Sequence, residues 1–243
     1  MRSPLSLAGS LYNFRNAIRS VIPQNTNTIV FANSRDLELE FYLSSKFNIV
    51  ANTLDYRVED FWGAYLSEPH RVFSIAKDLA ATIDLEEYNL LIELYTQSRD
   101  EVMRASLVLL MNRCGQRLDL FKDTFDPANA TSLTDFLDKH KHFLLRDFSV
   151  KTATLTQSFG NSRSFVVLDL PRPKHQKTVP ISMDNGFTSQ DLMSFLVDNS
   201  SWCIVMDRKH APGNMFEDFE HFNINSRGYR TTQETNKILF YKT

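Results

Sequence analysis

The sequence predicts an α/β protein whose mostly parallel, doubly wound sheet is split by a helical insert. Three observations predict it. Short apolar runs ending in polar or acidic residues recur at TIVFAN (28–33), NIVAN (48–52), FVVLDL (165–170) and WCIVMD (202–207), the pattern of strands buried on both faces of a parallel sheet. Helical patterns alternate with these runs towards both ends of the chain, as βαβ units require. Between the two halves, residues 67–147 read as mostly helical.

The elements follow in order. LYNFRNAIRSVI places Leu11, Phe14, Ile18, Val21 and Ile22 at helical spacing, and Pro23 with Gln24-Asn25 stops that helix. After the strand TIVFAN, Arg35 to Ser44 reads as a helix with Leu37, Phe41 and Tyr42 inward. NIVAN is the second strand, and a third helix runs through Asp60 to Leu66. EEYNLLIELYTQSRDEVMRASLVLLMNRCG holds two helical runs ended by Gly115, a residue type that commonly closes a helix. DTFDPANATS (123–132) is a loop and LTDFLDKHKHFLL an amphipathic helix. FVVLDL returns as a strand, followed by a polar loop over 172–188. SQDLMSFLVDN is a helix opened by Thr188 or Ser189 as a cap, and WCIVMD is a buried strand ending in an acid. In MFEDFEHF the spacing of Phe216, Phe219 and Phe222 fits a packed helix face; exposed, the same rings would form an interface. YRTTQETNKILFYKT closes the chain as a hairpin or strand pair. Residues 1–66 and 148–243 are thus expected to form one α/β domain, with 67–147 as its insert.

Bulk properties narrow the class. The 243 residues are 42% hydrophobic and 23% charged, enough to bury a sizeable core. The net charge of −2 means that nucleic-acid binding needs a local basic face. Two distant cysteines, Cys114 and Cys203, form no metal or CxxC spacing, which fits a reducing compartment. No run approaches the roughly 18 apolar residues of a membrane span, so no membrane partner is expected, and a cytoplasmic location is. Seven glycines are about half the usual share, an oddity in a nucleotide-type fold, which spends glycines where a loop approaches its ligand. The six histidines show no shared-face metal spacing, and His140 and His142 lie two apart. No metal is expected.

Several segments occur in one order: PLSLAGSLYNFRNAIRSVIP, IVFANSRDLE, IVANTLDYRVEDFWGAY, YTQSRDEVMRASLVLLMNRCG, FVVLDLPRP and KILFYK. This collinear set resembles DNA adenine N6-methyltransferases of the Dam type. The resemblance covers nearly the whole chain, and its specificity lies in order and spacing rather than in any one piece. It implies an α/β, Rossmann-like S-adenosylmethionine-dependent methyltransferase fold with a helical target-recognition insert. It also implies action on a base flipped out of duplex DNA.

The motif positions depart from that family. At the catalytic Asp-Pro-Pro-Tyr loop, Asp169 and Pro171 remain, while Leu170 replaces the first proline and Arg172 the aromatic residue. Arg172 can stack on a base or pair with Asp169. At the cofactor positions, Ala8, Gly9, Ser10 and Leu11 replace Ala-Gly-Gly-Lys. The first loop, Phe31-Ala32-Asn33-Ser34-Arg35-Asp36, has no glycine, and each added side chain there takes ligand space. Asn52 stands near the position where, in the family, an acid would hold the ribose, with Asp55 as the alternative in a shifted register. Ala8, Gly9, Ser10, Phe31, Asn33 and Asn52 are therefore a degenerate cofactor set, and no cofactor is expected unless the enzyme is active, in which case S-adenosylmethionine.

Four altered sites on a kept scaffold lead to the expectation of a pseudoenzyme that has lost methyl transfer and binds double-stranded DNA or a protein partner. The alternatives are an active methyltransferase with divergent motifs, or a purely structural or regulatory subunit. Candidate nucleic-acid contacts are Arg113 and Arg117 in the Asn-Arg-x-Gly neighbourhood, Arg172 and Lys174 beside Asp169, and Arg208 and Lys209 after WCIVMD. Against them, Arg113 and Arg117 also suit a solvated helix C-terminus, and 172–177 also reads as an ordinary polar loop. Viral and mobile genomes carry degenerate relatives of this family, which would place the protein in a host cytoplasm.

Overall fold

The computed structural model describes residues 4–5, 11–32, 47–53, 56–114, 148–152, 163–169, 189–208 and 216–243. Eight strands are described: β1 (Thr28–Phe31), β2 (Asn48–Thr53), β3 (Phe148–Thr152), β4 (Ser164–Asp169), β5 (Trp202–Asp207), β6 (Glu220–Ile224), β7 (Arg230–Thr231) and β8 (Lys237–Lys242). They form one sheet in the order β3-β2-β1-β4-β5-β8-β6-β7. The first five are parallel. β8 runs antiparallel to β5, and β6 and β7 continue antiparallel beyond it. From β1 the chain winds outward through β2 and β3, then returns to the other side of β1 for β4 and β5. The sheet is therefore doubly wound, and its order reverses between β1 and β4.

Both faces of β1, β2, β4 and β5 are covered, which is why they read as apolar runs without alternation. On one face Ile29, Phe31, Ile49, Phe165, Val167, Cys203 and Val205 pack against Phe14, Ala17 and Ile18. Those residues come from a 3-10 turn (Tyr12–Phe14) and α1 (Arg15–Ser20). On the other face Val30, Ala32, Val166, Leu168, Ile204 and Met206 meet Leu192, Phe195 and Leu196 of the C-terminal helix, Ser189–Asp198.

Four described helices follow β2: α2 (Tyr56–Ser67), α3 (Pro69–Thr82), α4 (Leu85–Gln97) and α5 (Glu101–Cys114). The helix Ser189–Asp198 is accordingly α6. Their starts are written locally. Pro69 opens α3, where a missing N–H costs nothing. Asp84 and Glu87 make a reciprocal capping box on α4, and the Asp100 carboxylate accepts from the backbone N–H of Val102 and Met103 at 2.8 and 3.2 Å. α5 is buried almost all round, from Val102 through Leu107–Leu110 to Cys114, because α2, α3 and α4 all pack on it. One apolar cluster joins α2 to α5 and takes in Ala51 of β2 and Leu5, so α2 and the helices after residue 67 share a core.

Two sequence expectations change. The Phe216–Phe222 stretch is not a helix. Its second half is strand β6, and the rings fall to opposite sides of the sheet. Phe222 joins the α1 face, while Phe216 and the half-buried Phe219 join the α6 face. Phe216 stacks on Phe240 at 4.5 Å and Phe219 meets Trp202 edge-on at 4.8 Å, so the phenylalanines fill core rather than an exposed interface. β3 was not anticipated either. The expected helices over 35–44 and 133–145 and the loop over 123–132 lie outside the described residues.

Candidate functional site

In a doubly wound sheet, the carboxyl ends of the strands on either side of the order reversal border a crevice where ligands bind. Here those ends belong to β1 and β4, with β2 alongside. Phe31 of β1 pairs in register with Ala51 of β2 and Val167 of β4, and the Ala32 N–H donates to the Val167 carbonyl at 2.9 Å. Both neighbours run on past the end of β1. β4 continues to Asp169, opposite Val205 of β5. β2 continues to Asn52 and Thr53, opposite Lys151 and Thr152 of β3. The sheet therefore brings Asn52 and the backbone of Asp169 to the same edge, on either side of β1.

The two described members of the cofactor set behave differently. Phe31 points into the α1-side core, so its ring is a packing group and only its backbone reaches the edge. Asn52 alternates with Ala51 and so shares its face with Val50 and Ala32. It is 0% exposed, and neither Oδ1 nor Nδ2 has a hydrogen-bond partner among the described residues. A buried amide left unpaired costs about 1–3 kcal/mol. The amide therefore keeps unused hydrogen-bonding capacity at the carboxyl end of β2.

The described basic candidates are both engaged. Arg113, in the last turn of α5, donates from Nε to the Pro4 carbonyl at 2.5 Å, tying the helix end to the N-terminal segment rather than leaving a solvated cation. Arg208 follows β5. Its guanidinium pairs with Glu234 and donates to Asn223 Oδ1 at 2.8 Å. Asp207, the acid that ends β5, pairs with Lys237 at 2.9 Å. Ala8, Gly9, Ser10, Asn33, Asp55, Arg117, Leu170, Pro171, Arg172, Lys174 and Lys209 lie outside the described residues.

Other chemistries find little to work with. Among the described residues no cluster of three or more His, Cys, Asp or Glu can hold a metal. Cys114 and Cys203 are buried free thiols, and burial pushes the Cys203 thiol well above its ordinary range. No described helix is long and apolar enough to cross a membrane. Sequence reading missed one polar cluster, Asp60 with Tyr95 and Arg104, whose members lie 35 and 44 residues apart in the chain. No local motif joins them.

The strand order defines a doubly wound, Rossmann-like α/β fold. No family model matches the chain, and no curated protein does. Among solved structures it is similar to the rRNA methyltransferase AviRa from Streptomyces viridochromogenes, in two determinations. One is 10% identical, covers 95% of this chain and 81% of that one, and has a TM-score of 0.37. The other is 12% identical, covers 93% and 80%, and has a TM-score of 0.36. The fold assignment stands on the strand order itself.

Proposed function

We propose that this chain is a methyltransferase-type α/β protein of Dam-like ancestry that has lost methyl transfer and works by binding DNA or a protein partner. The observation that carries the reading is Asn52, a buried, unpaired amide at the carboxyl end of β2. In the family that the sequence resembles, an acid there holds the ribose. A neutral amide can still exchange hydrogen bonds with a ribose hydroxyl. It holds one less firmly, because hydrogen bonds to a charged group are roughly twice as strong. So the residue fits a nucleoside-type ligand while weakening the grip that a methyl donor needs.

The sequence around the site argues the same way. The loop after β1 carries no glycine from Phe31 to Asp36, and the segment after Asp169 offers Leu170 and Arg172 in place of proline and an aromatic ring. S-adenosylmethionine would supply the methyl group if the enzyme were active. Of this chain, Asn52 is the described side chain that would meet its ribose. Because Arg113 and Arg208 are already bonded, a DNA-binding face would rest on Arg117, Arg172, Lys174 and Lys209.

Calorimetric titration with S-adenosylmethionine, beside a methyl-transfer assay on duplex DNA, tests the proposal. The expected result is no turnover, with binding of the methyl donor weaker than micromolar. Micromolar binding with turnover would establish the active alternative instead.

A further inference from the structure

We propose that the outward face of α4 is a docking surface for a basic, apolar protein segment. This inference rests on the helical layer and is independent of the crevice.

The helix has a clear inner side. Tyr88, Leu91 and Tyr95 are buried against the rest of the layer. The Tyr88 hydroxyl donates to the Met111 carbonyl at 3.3 Å, and the Tyr95 hydroxyl donates to Asp60 at 2.8 Å. On a solvated helix the opposite side is polar. Here Glu86 and Glu93 hold the side directly opposite, and Leu90 and Leu94, one turn apart, lie between it and the buried stripe at 54% and 44% exposure. Single exposed leucines are ordinary, but Leu90 and Leu94 stand side by side one turn apart, while Ile92, also exposed, lies on the other flank.

The charge around the pair selects the occupant. Glu86, Glu87 and Glu93 are exposed on the same helix, and no lysine, arginine or histidine occurs from Asp78 to Ser98. A nucleic-acid backbone would be repelled from such a rim. A second copy packed on the same face would set these glutamates against their own duplicates. A partner helix with apolar residues at i and i+4 and flanking lysines or arginines satisfies both the leucine pair and the acidic rim.

The test is fluorescence anisotropy with a labelled amphipathic peptide built of leucine and lysine, beside a leucine–glutamate peptide of the same pattern. The leucine–lysine peptide is expected to bind saturably and the acidic one not at all. The double variant Leu90→Gln with Leu94→Gln changes only exposed side chains and keeps good helix formers. It should weaken binding at least tenfold with an unchanged thermal midpoint. Glu86→Gln with Glu87→Gln and Glu93→Gln should weaken binding and flatten its salt dependence. No saturable binding, equal binding of both peptides, or binding unaffected by the leucine variant overturns the proposal. So does a concentration-dependent dimer in sedimentation that the leucine variant dissolves, since a second copy would then be the occupant.

Discussion

Tyr95 donates its hydroxyl to Asp60 at 2.8 Å, joining α4 to α2 across the helical layer. The other carboxylate oxygen of Asp60 accepts from Arg104 of α5 at 3.2 Å, so one acid clips three helices together. Both members of the ion pair are partly buried, at 23% and 30% side-chain exposure, which sets them apart from fully solvated surface pairs. Tyr95→Phe should cost about 0.5–1.5 kcal/mol, the net worth of one hydrogen bond. Asp60→Ala should cost more, about 1–3 kcal/mol, because it strands two donors. Adding Tyr95→Phe to Asp60→Ala should cost little more, because the two residues share one interaction. Urea unfolding of the three variants measures the cycle. Full additivity would show that the clip does not exist in solution.

Tyr65 is the counter-case. Its ring packs among Phe61, Trp62 and Phe73, and its hydroxyl is buried with no partner among the described residues. Tyr65→Phe is therefore expected to leave stability unchanged or raise it by about 1 kcal/mol, opposite in sign to Tyr95→Phe. The same residues set an alkaline limit. Unfolded phenols ionise near pH 10. In the fold, burial pushes Tyr65 up to about 12. Tyr95 is also held well above the ordinary range, first by burial and then by its bond to Asp60. The stabilisation is complete below pH 10. Above it the unfolded chain releases protons that the folded chain keeps, so stability falls as pH rises towards and beyond 12. Denaturation midpoints from pH 9 to 11.5 should decline, and less steeply in Tyr65→Phe. A flat profile in the parent protein would contradict this.

The role proposed for Asn52 sets stability against binding. Replacing a buried, unpaired amide by an apolar side chain of similar size should stabilise the free protein. Asn52→Leu is expected to raise unfolding free energy by about 1–3 kcal/mol and to abolish any thermal shift produced by adenosine or S-adenosylhomocysteine. A loss of stability of that size would mean that the amide is satisfied in solution, and the ligand reading of β2 would fall with it.

What could be read in the sequence follows the same physics. β1, β2, β4 and β5 announced themselves because both faces of each are covered, leaving continuous runs such as Phe165–Leu168. β3 did not, because as the last strand of the described sheet, Phe-Ser-Val-Lys-Thr needs no continuous apolar run. Phe216, Phe219 and Phe222 imitated a helix face, yet the chain turns strand between them and sends the last ring to the opposite core. The points where the runs stop placed the strand ends to within one residue: β2 runs on from Asn52 to Thr53, and β4 stops at Asp169, one residue short of FVVLDL. That Asn52 lacks a partner was not legible, since it depends on what the fold leaves near it in space.

Two glycines make a paired test of backbone and space. Gly228 follows β6 in the turn leading to β7, with φ at +80°. Asn225 holds that turn, its carbonyl accepting from the Gly228 N–H at 2.9 Å and its side chain accepting from the N–H groups of Arg227 and Tyr229 at 2.9 and 3.1 Å. A Cβ at 228 would lie 1.5 Å from the Asn13 carbonyl oxygen, in the turn before α1. Gly228→Ala therefore combines a left-handed backbone costing about 1–2 kcal/mol with a backbone clash that must push the hairpin off the N-terminal turn. Its total cost should exceed 2 kcal/mol. Gly63 lies inside α2, exposed, with nothing within 4 Å of a built Cβ. Gly63→Ala should stabilise by about 0.5–1 kcal/mol, the helical advantage of alanine over glycine. Guanidinium unfolding of both variants reads the contrast directly, with equal slopes expected for Gly63→Ala and the parent. Indifference to Gly228→Ala would show that the hairpin turn does not rest on Asn13.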